Sequence, residues 1–408
     1  MFEVIRIILE AGHSLTFLSP QANDERYRKA LEDIGAECLC DADRAAVGRA
    51  DEFGAYLRER DFKVAVFVQY FIYNRYAPYF RMFAPECRLV YDALDLEHVR
   101  CEREAEVLGT DEARENAATV RREEIAALND ADVVWTVTDV EKEKVAQLAA
   151  PRAISVIPTI HAVDADLPGF ESRNGIVFLG SYRHRPNVDA MAYFMSDILP
   201  KVRESLPDVP FAIAGSFPTD DLYRYEKEWP GVKVTGFIED MRAFLKTQRV
   251  GIAPLRYGAG IKGKIGDYFG CGLPCVTSSI GAEGMGLVNG QDALISDDAD
   301  EFASAIVRLH TDADLWRNLS QAGADHIRRT LSVEAIGPRV VEALEAAAAV
   351  EAKRRGRQGL RALGAILRPR ELTHWAATGW RAVRRGGFGE LVRQFQVWLH
   401  RPPPTPPS

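Results

Sequence analysis

Apolar and polar positions alternate between two periods along most of the chain. Short continuous apolar runs mark strands buried on both faces of a parallel sheet. Stretches with apolar residues three and four apart mark the helices that cover them. The clearest runs are Val64–Val68, Ile176–Leu179, Phe211–Ala214 and Val250–Leu255. Further strands are predicted at Ser14–Leu18, Ala36–Leu39, Arg88–Tyr91, Val133–Thr138, Ser155–Pro158, Lys233–Thr235, Cys275–Ser278 and Ala293–Ile295. Helical spacing is predicted over Met1–Ala11, Tyr27–Ile34, Phe53–Arg60, a charged region near Arg100–Leu128, Asn187–Leu199, Met241–Leu245, Ala299–His310, Asp312–Thr330 and Ser332–Ala349. Strands alternating with helices specify an α/β fold. Residues 161–174 are polar and aperiodic and read as a linker. The expected order is an N-terminal domain over 1–160, the linker 161–174, a second domain over 175–332, a helix over 333–350 and a tail over 351–408. Two such domains enclose a cleft, the commonest place for a ligand.

The densest chemistry lies in 250–284, where an apolar strand leads through a glycine loop into a short helix and a second apolar strand. Gly258, Gly260 and Gly263 crowd beside Lys262 and Lys264. Glycines let backbone N–H groups approach a ligand, and lysines add charge, so the loop reads as a phosphate cradle at a helix N-terminus. The spacing matches neither the P-loop nor the dinucleotide fingerprint. Ile265 and Phe269 define the core face, and Gly272 suits the helix C′ position. Asp267 falls on another face, where a carboxylate accepts hydroxyls. Gly180, Ser181 and Arg183 follow the first strand of the second domain, with Asn187 a candidate N-cap. In the first domain Asp92, Asp95 and His98 follow the strand ending at Tyr91, at the carboxyl edge where α/β sites form. Thr138 and Glu141 have capping-box spacing. Arg103 and Glu104 read as an ion pair, and Asp220-Asp221 and Asp297-Asp298 as solvated loop or cap residues.

The segment Asp267-Tyr-Phe-Gly-Cys-Gly-Leu-Pro-Cys-Val276 resembles the donor signature of retaining glycosyltransferases of family 4, in the branch with a Gly-Ala-Gly-x-Lys-x-Lys loop. That resemblance implies the GT-B fold, two Rossmann-like domains facing across a cleft. It puts Asp267 at the glutamate that holds the donor ribose, and Gly180, Ser181, Arg183, Gly260, Lys262, Gly263 and Lys264 at the donor, with phosphate on Arg183 and Lys262. Glu283 becomes a second contact to the sugar. The family's other glutamate falls at Ala259, a departure shared by that branch. Asp95 and His98 match the branch's acceptor-side pattern, with Glu97 standing at its histidine and His98 one position later. The implied activity is transfer from a nucleotide-diphosphate sugar to a saccharide or lipid-linked acceptor without a metal or other cofactor. An epimerase on the same fold and a degenerate scaffold are the alternatives. Relatives also place a strand and glycine-rich loop before the segment resembling Met1–Leu18, so upstream residues are expected.

Composition narrows the class further. The 408 residues are 47% hydrophobic and 27% charged, which suits globular domains. Six cysteines lack zinc or redox spacing and read as reduced thiols. The net charge of −8 conceals a basic tail, where about a dozen Lys/Arg face three Glu beyond residue 350. The acidic body argues against nucleic acid as a partner. The tail's Trp and Leu among arginines read as an amphipathic anchor for a membrane surface or a partner, ending in a Pro-rich segment. The expected location is cytoplasmic, at the inner face of the membrane.

Overall fold

The computed structural model describes residues 1–18, 25–39 and 50–353. The basic tail lies outside the described residues from 354 on.

In the N-terminal domain β3 (Val64–Val68), β4 (Arg88–Ala93), β5 (Val133–Thr136) and β6 (Ala153–Val156) form a parallel sheet in that order. Two short strands, β1 (Thr16–Leu18) and β2 (Glu37–Leu39), pair in parallel with each other and form a separate ribbon. The single sheet expected from the pattern is therefore split, and among the described residues no strand joins β1 to β3. Leu89, Tyr91 and Ala93 point to one face, against helices Tyr70–Phe83, Glu97–Leu108 and Asp111–Asp130. Val90 points to the other face, beside Ile7 and Ile8 of helix Phe2–Glu10.

Two departures from the predicted elements have local causes. The helix Tyr70–Phe83, unforeseen, buries Tyr70, Tyr73, Tyr76, Ala77, Phe80 and Phe83 at helical spacing, around an internal Pro78. The charged region near Arg100–Leu128 is two helices, because Gly109 takes a left-handed C-terminal conformation and Thr110 caps the second helix through Ala113 N.

The second domain is a six-stranded parallel sheet of β7 (Ile176–Leu179), β8 (Phe211–Ala214), β9 (Val232–Gly236), β10 (Val250–Ala253), β11 (Cys275–Thr277) and β12 (Leu294–Ile295). Its spatial order is β12-β11-β10-β7-β8-β9. The chain runs outward from β7 to β9, then returns to place β10 on the other side of β7. The carboxyl ends of β7 and β10 are thus the topological switch point, where open α/β sheets leave a crevice for ligands. Ile176 and Phe178 pack into the core on one face, and Val177 into that on the other.

Helix Val333–Ala349 leaves the second domain and lays Ile336, Val340, Ala343 and Ala347 on Ile7, Ile8, Val90 and Trp135 of the first. Hydrogen bonds from Arg88 Nε to Val350 O and from Lys353 N to Asp132 Oδ1 fix its end. The linker is also anchored. Arg173 is 1% exposed and donates to the carbonyls of Pro168, Leu245, Gln248 and Cys271.

Candidate active site

The loops after β7 and β10 meet at the switch point. Helix Gly263–Gly270 opens there, with Lys262 at its N-cap and no side-chain bond to its first N–H groups, which lie at the positive end of the helix. The helix ends as expected. Gly272 N donates to Phe269 O at 3.0 Å and Leu273 N to Tyr268 O at 2.9 Å, the paired bonds of a Schellman ending with Gly272 at φ +62°.

Two lysines are enclosed at this point. Lys262 is 8% exposed, and its Nζ donates to Gly260 O at 2.6 Å. Burial, aided by repulsion from Arg103 and opposed by Glu283, pulls its ammonium down to about 8. Lys264 Nζ donates to Asn187 Oδ1 at 2.6 Å and lies 4.0 Å from the Phe178 ring centroid. Loss of solvent, with Lys262 adding repulsion, brings it to about 7. Among the described residues neither ammonium has a carboxylate within ion-pair distance. Asn187 serves this lysine instead of capping its helix, whose cap is His184. Its amide donates to Ser181 O at 2.8 Å, and a Cβ at Gly180 would come 2.7 Å from that amide nitrogen. Gly180, Ser181, Asn187 and Lys264 therefore form one interlocked wall. Arg183 stands apart at the rim, exposed, its guanidinium 3.5 Å over the Phe217 ring.

The first domain closes over the loop. Gly260, at φ +63°, approaches so near that a Cβ would lie 2.8 Å from Leu94 O and 2.9 Å from Asp95 Cβ. Asp95 thereby faces the lysine loop, with burial raising its carboxyl. Its own partner, Arg100 Nε, is 3.5 Å away. His98 lies deeper. It is 1% exposed, with Nδ1 2.6 Å from Glu124 Oε2, and Glu124 also accepts from Tyr91 Oη and from the amides of Glu97 and His98. The histidine thus anchors the start of helix Glu97–Leu108, while Asp95 reaches the cleft.

Pairs across the cleft were not visible in the chain. Arg103 donates to both Glu283 oxygens at 2.7 Å and to Gly258 O at 2.6 Å. Arg103 and Glu104 therefore do not pair with each other. Glu104, 3% exposed, accepts from Tyr257 Oη at 3.3 Å and meets Arg185 Nε at 3.0 Å. Glu283 is engaged by a guanidinium and still lines a cavity with Val99, Glu141, Ala259 and Gly260. Glu141 completes only half of the expected capping box. Thr138 Oγ1 accepts from Glu141 N at 3.0 Å, but the carboxyl turns to Leu96 N at 3.1 Å and supports the Asp95 loop. Burial raises it to about 7.

Asp267 is 45% exposed on its side chain, and its Oδ1 lies 3.1 Å from His161 Nδ1. Of the acidic pairs, Asp298 caps helix Ala299–Thr311, Asp297 accepts from Ser279 N, and Asp220-Asp221 open helix Asp220–Glu228. Among the described residues no group of His, Cys, Asp or Glu is gathered for a metal, and no helix is long and apolar enough to cross a membrane.

This architecture is the GT-B fold of glycosyltransferases. HepE of Anabaena, solved with UDP-glucose, superposes at a TM-score of 0.63 with 14% identity, over 84% of this chain and 95% of its own. Sucrose-phosphate synthase of Thermosynechococcus elongatus gives 0.62 and 16%, over 84% and 91%. A Rickettsia africae glycosyltransferase gives 0.62 and 11%, over 85% and 93%. Residues 173–312, most of the second domain, match the family model of glycosyl transferases group 1. A Klebsiella pneumoniae protein described as an uncharacterized 44.6 kDa protein in the cps region is 26% identical over 160 residues. That match spans 38% of this chain and 41% of the relative.

Proposed function

We propose that the chain is a retaining glycosyltransferase that moves a sugar from a nucleotide-diphosphate sugar to a saccharide or lipid-linked acceptor. The observation that carries this reading is the pair of enclosed lysines at the switch point. Both are held below their ordinary range at a helix N-terminus, with no ion-pair partner among the described residues. Desolvated ammonium groups of that kind cost free energy until an anion arrives. A diphosphate bound there would be met by Lys262, Lys264 and the first amides of helix Gly263–Gly270, with Arg183 at the rim. Those charges stabilise the diphosphate as it departs, which is the main electrostatic demand of the transfer. Gly260 and Gly263 let the backbone come close. Asp267 takes the ribose hydroxyls, as its matching position in the family does. The acceptor hydroxyl enters beside Asp95, and attack on the face vacated by the diphosphate retains the configuration without a covalent nucleophile. No metal is assigned a role. The HepE complex with UDP-glucose supports a nucleotide-sugar donor and makes uridine the first base to test. Surface polysaccharide or glycolipid assembly at the cytoplasmic membrane face rests on the family resemblance and the basic tail.

A thermal-shift panel of UDP-, GDP- and dTDP-sugars identifies the donor as the one that raises the midpoint. With that donor, Lys262→Ala is expected to lower turnover about 100-fold, the usual effect of losing one such charge, while the midpoint without ligand holds. Unchanged turnover contradicts the assigned role.

A further inference from the structure

The linker does not hang free beside the donor helix; it lies along it. Gly263, Gly266 and Gly270 form a side-chain-free strip on helix Gly263–Gly270. A Cβ on Gly266 would come 2.5 Å from the ring of His161, and one on Gly270 would strike Ala162 O. His161 N donates to Leu331 O at 2.8 Å, where the chain turns into the crossover helix. The imidazole is thus fixed by the backbone at one end and by a bare helix face beneath it. Its side chain is 9% exposed. Nδ1 lies 3.1 Å from Asp267 Oδ1, and Nε2 lies 3.1 Å from Thr159 Oγ1. A carboxylate only accepts, so the Nδ1 nitrogen carries the proton, and the Thr159 hydroxyl, able to donate, satisfies Nε2. One carboxylate oxygen of Asp267 is therefore held, and the other has no protein partner among the described residues.

We propose that His161 is a positioning residue, whose Nδ1–H sets the Asp267 carboxylate to receive the ribose diol of the donor. The inference rests on the reading that Asp267 binds that diol. A carboxylate free to turn loses part of the benefit of its hydrogen bonds in ordering, and a held one does not. His161 thus contributes to selection of ribose without touching the nucleotide.

The test is calorimetric binding of UDP and of GDP, each beside its 2′,3′-dideoxy counterpart, to the whole chain. The wild-type chain is expected to prefer the ribonucleotide by about tenfold or more, the scale of a hydrogen bond to a charged group. Asp267→Asn should remove most of that preference, and His161→Ala should reduce it while leaving dideoxynucleotide affinity and the thermal midpoint in place. His161→Asn puts an amide N–H near the Nδ1 position and should restore the preference. His161→Gln puts it near Nε2 and should not. If Asp267→Asn abolishes the preference and His161→Ala keeps it, the positioning role is overturned and the reading of Asp267 stands. If His161→Ala weakens both nucleotides equally, or Asn and Gln behave alike, its role is structural and the inference fails. A wild-type chain without ribose preference overturns the reading of Asp267 and this inference together.

Discussion

Binding of a nucleoside diphosphate should draw protons from solution. In the free protein Lys264 is brought to about 7 and Lys262 to about 8. At pH 7.5 these positions leave Lys264 roughly one-quarter protonated and Lys262 roughly three-quarters, against an ordinary lysine near 10.4. A diphosphate between them favours both charged forms. Return of both ammonium groups to above about 9 then requires uptake of roughly one proton in all at pH 7.5. Uptake should shrink at pH 6, where both are already charged, and grow from pH 7.5 to about pH 8.5. The diphosphate itself is ionised through the upper part of this range, its last ionisation falling near 6. Calorimetry of UDP binding in Tris and in HEPES at matched pH measures the number, because the observed heat changes with buffer ionisation enthalpy in proportion to the protons exchanged. Lys264→Met removes the larger share and leaves that of Lys262, so uptake at pH 7.5 should drop to roughly one-quarter of a proton. Proton release, or no exchange between pH 7 and 9, would refute the claim that these lysines receive the phosphates.

Other consequences follow from the geometry around the crevice. The Arg103–Glu283 pair is the clearest latch between the domains, with side chains 23% and 26% exposed. Arg103→Ala and Glu283→Ala should each raise the donor KM several-fold, and the double variant should be no worse than either. The cycle is expected to give coupling of about 1 kcal/mol, and additive effects would show that the pair does not couple. Gly215 sits at φ +125°, where a Cβ would overlap Gly180 O. Gly215→Ala should therefore cost more than about 3 kcal/mol, read as a lost or sharply lowered thermal midpoint; a midpoint within two or three degrees of wild type would contradict the packing. Above neutrality the enclosed lysines should make stability without ligand rise with pH, against an opposite contribution from Glu141 that is lost on the way up to it. Glu141, raised to about 7, stabilises below its unfolded value near 4.3, and that contribution is lost as pH rises through 7. The lysines act oppositely, since their depressed values cost stability below about 7 to 8 and the cost lifts toward 10.4. Midpoints from pH 5 to 9.5 test this, and Lys264→Met should flatten the rise above pH 7.

What was legible in the chain depended on how far its physics reached. Val64–Val68, Ile176–Leu179 and Phe211–Ala214 were found to the residue, because a strand covered on both faces must be apolar throughout. The helix ending at Gly272 was equally plain, since a left-handed C′ residue and its neighbours are set locally. Helix Tyr70–Phe83 was hidden by composition. Aromatic residues and Pro78 argue against a helix, yet the buried stripe at 70, 73, 76, 77 and 80 has helical period, and burial outweighed propensity. Asn187 was right in type and wrong in task. It suits a helix start, but Lys264, 77 positions away, takes its oxygen. Contacts between distant segments left weaker traces. Arg103 and Glu283 are 180 positions apart and meet only because the cleft closes. His161 lies 106 positions before Asp267 in a polar, aperiodic stretch. Even so, one sign of it stood in the sequence. Glycine is costly in a helix, and Gly263, Gly266 and Gly270 repeat at i, i+3 and i+7 in an eight-residue one. Such a strip is intelligible when a backbone must lie against the helix, and the segment that does so carries the imidazole to the carboxylate.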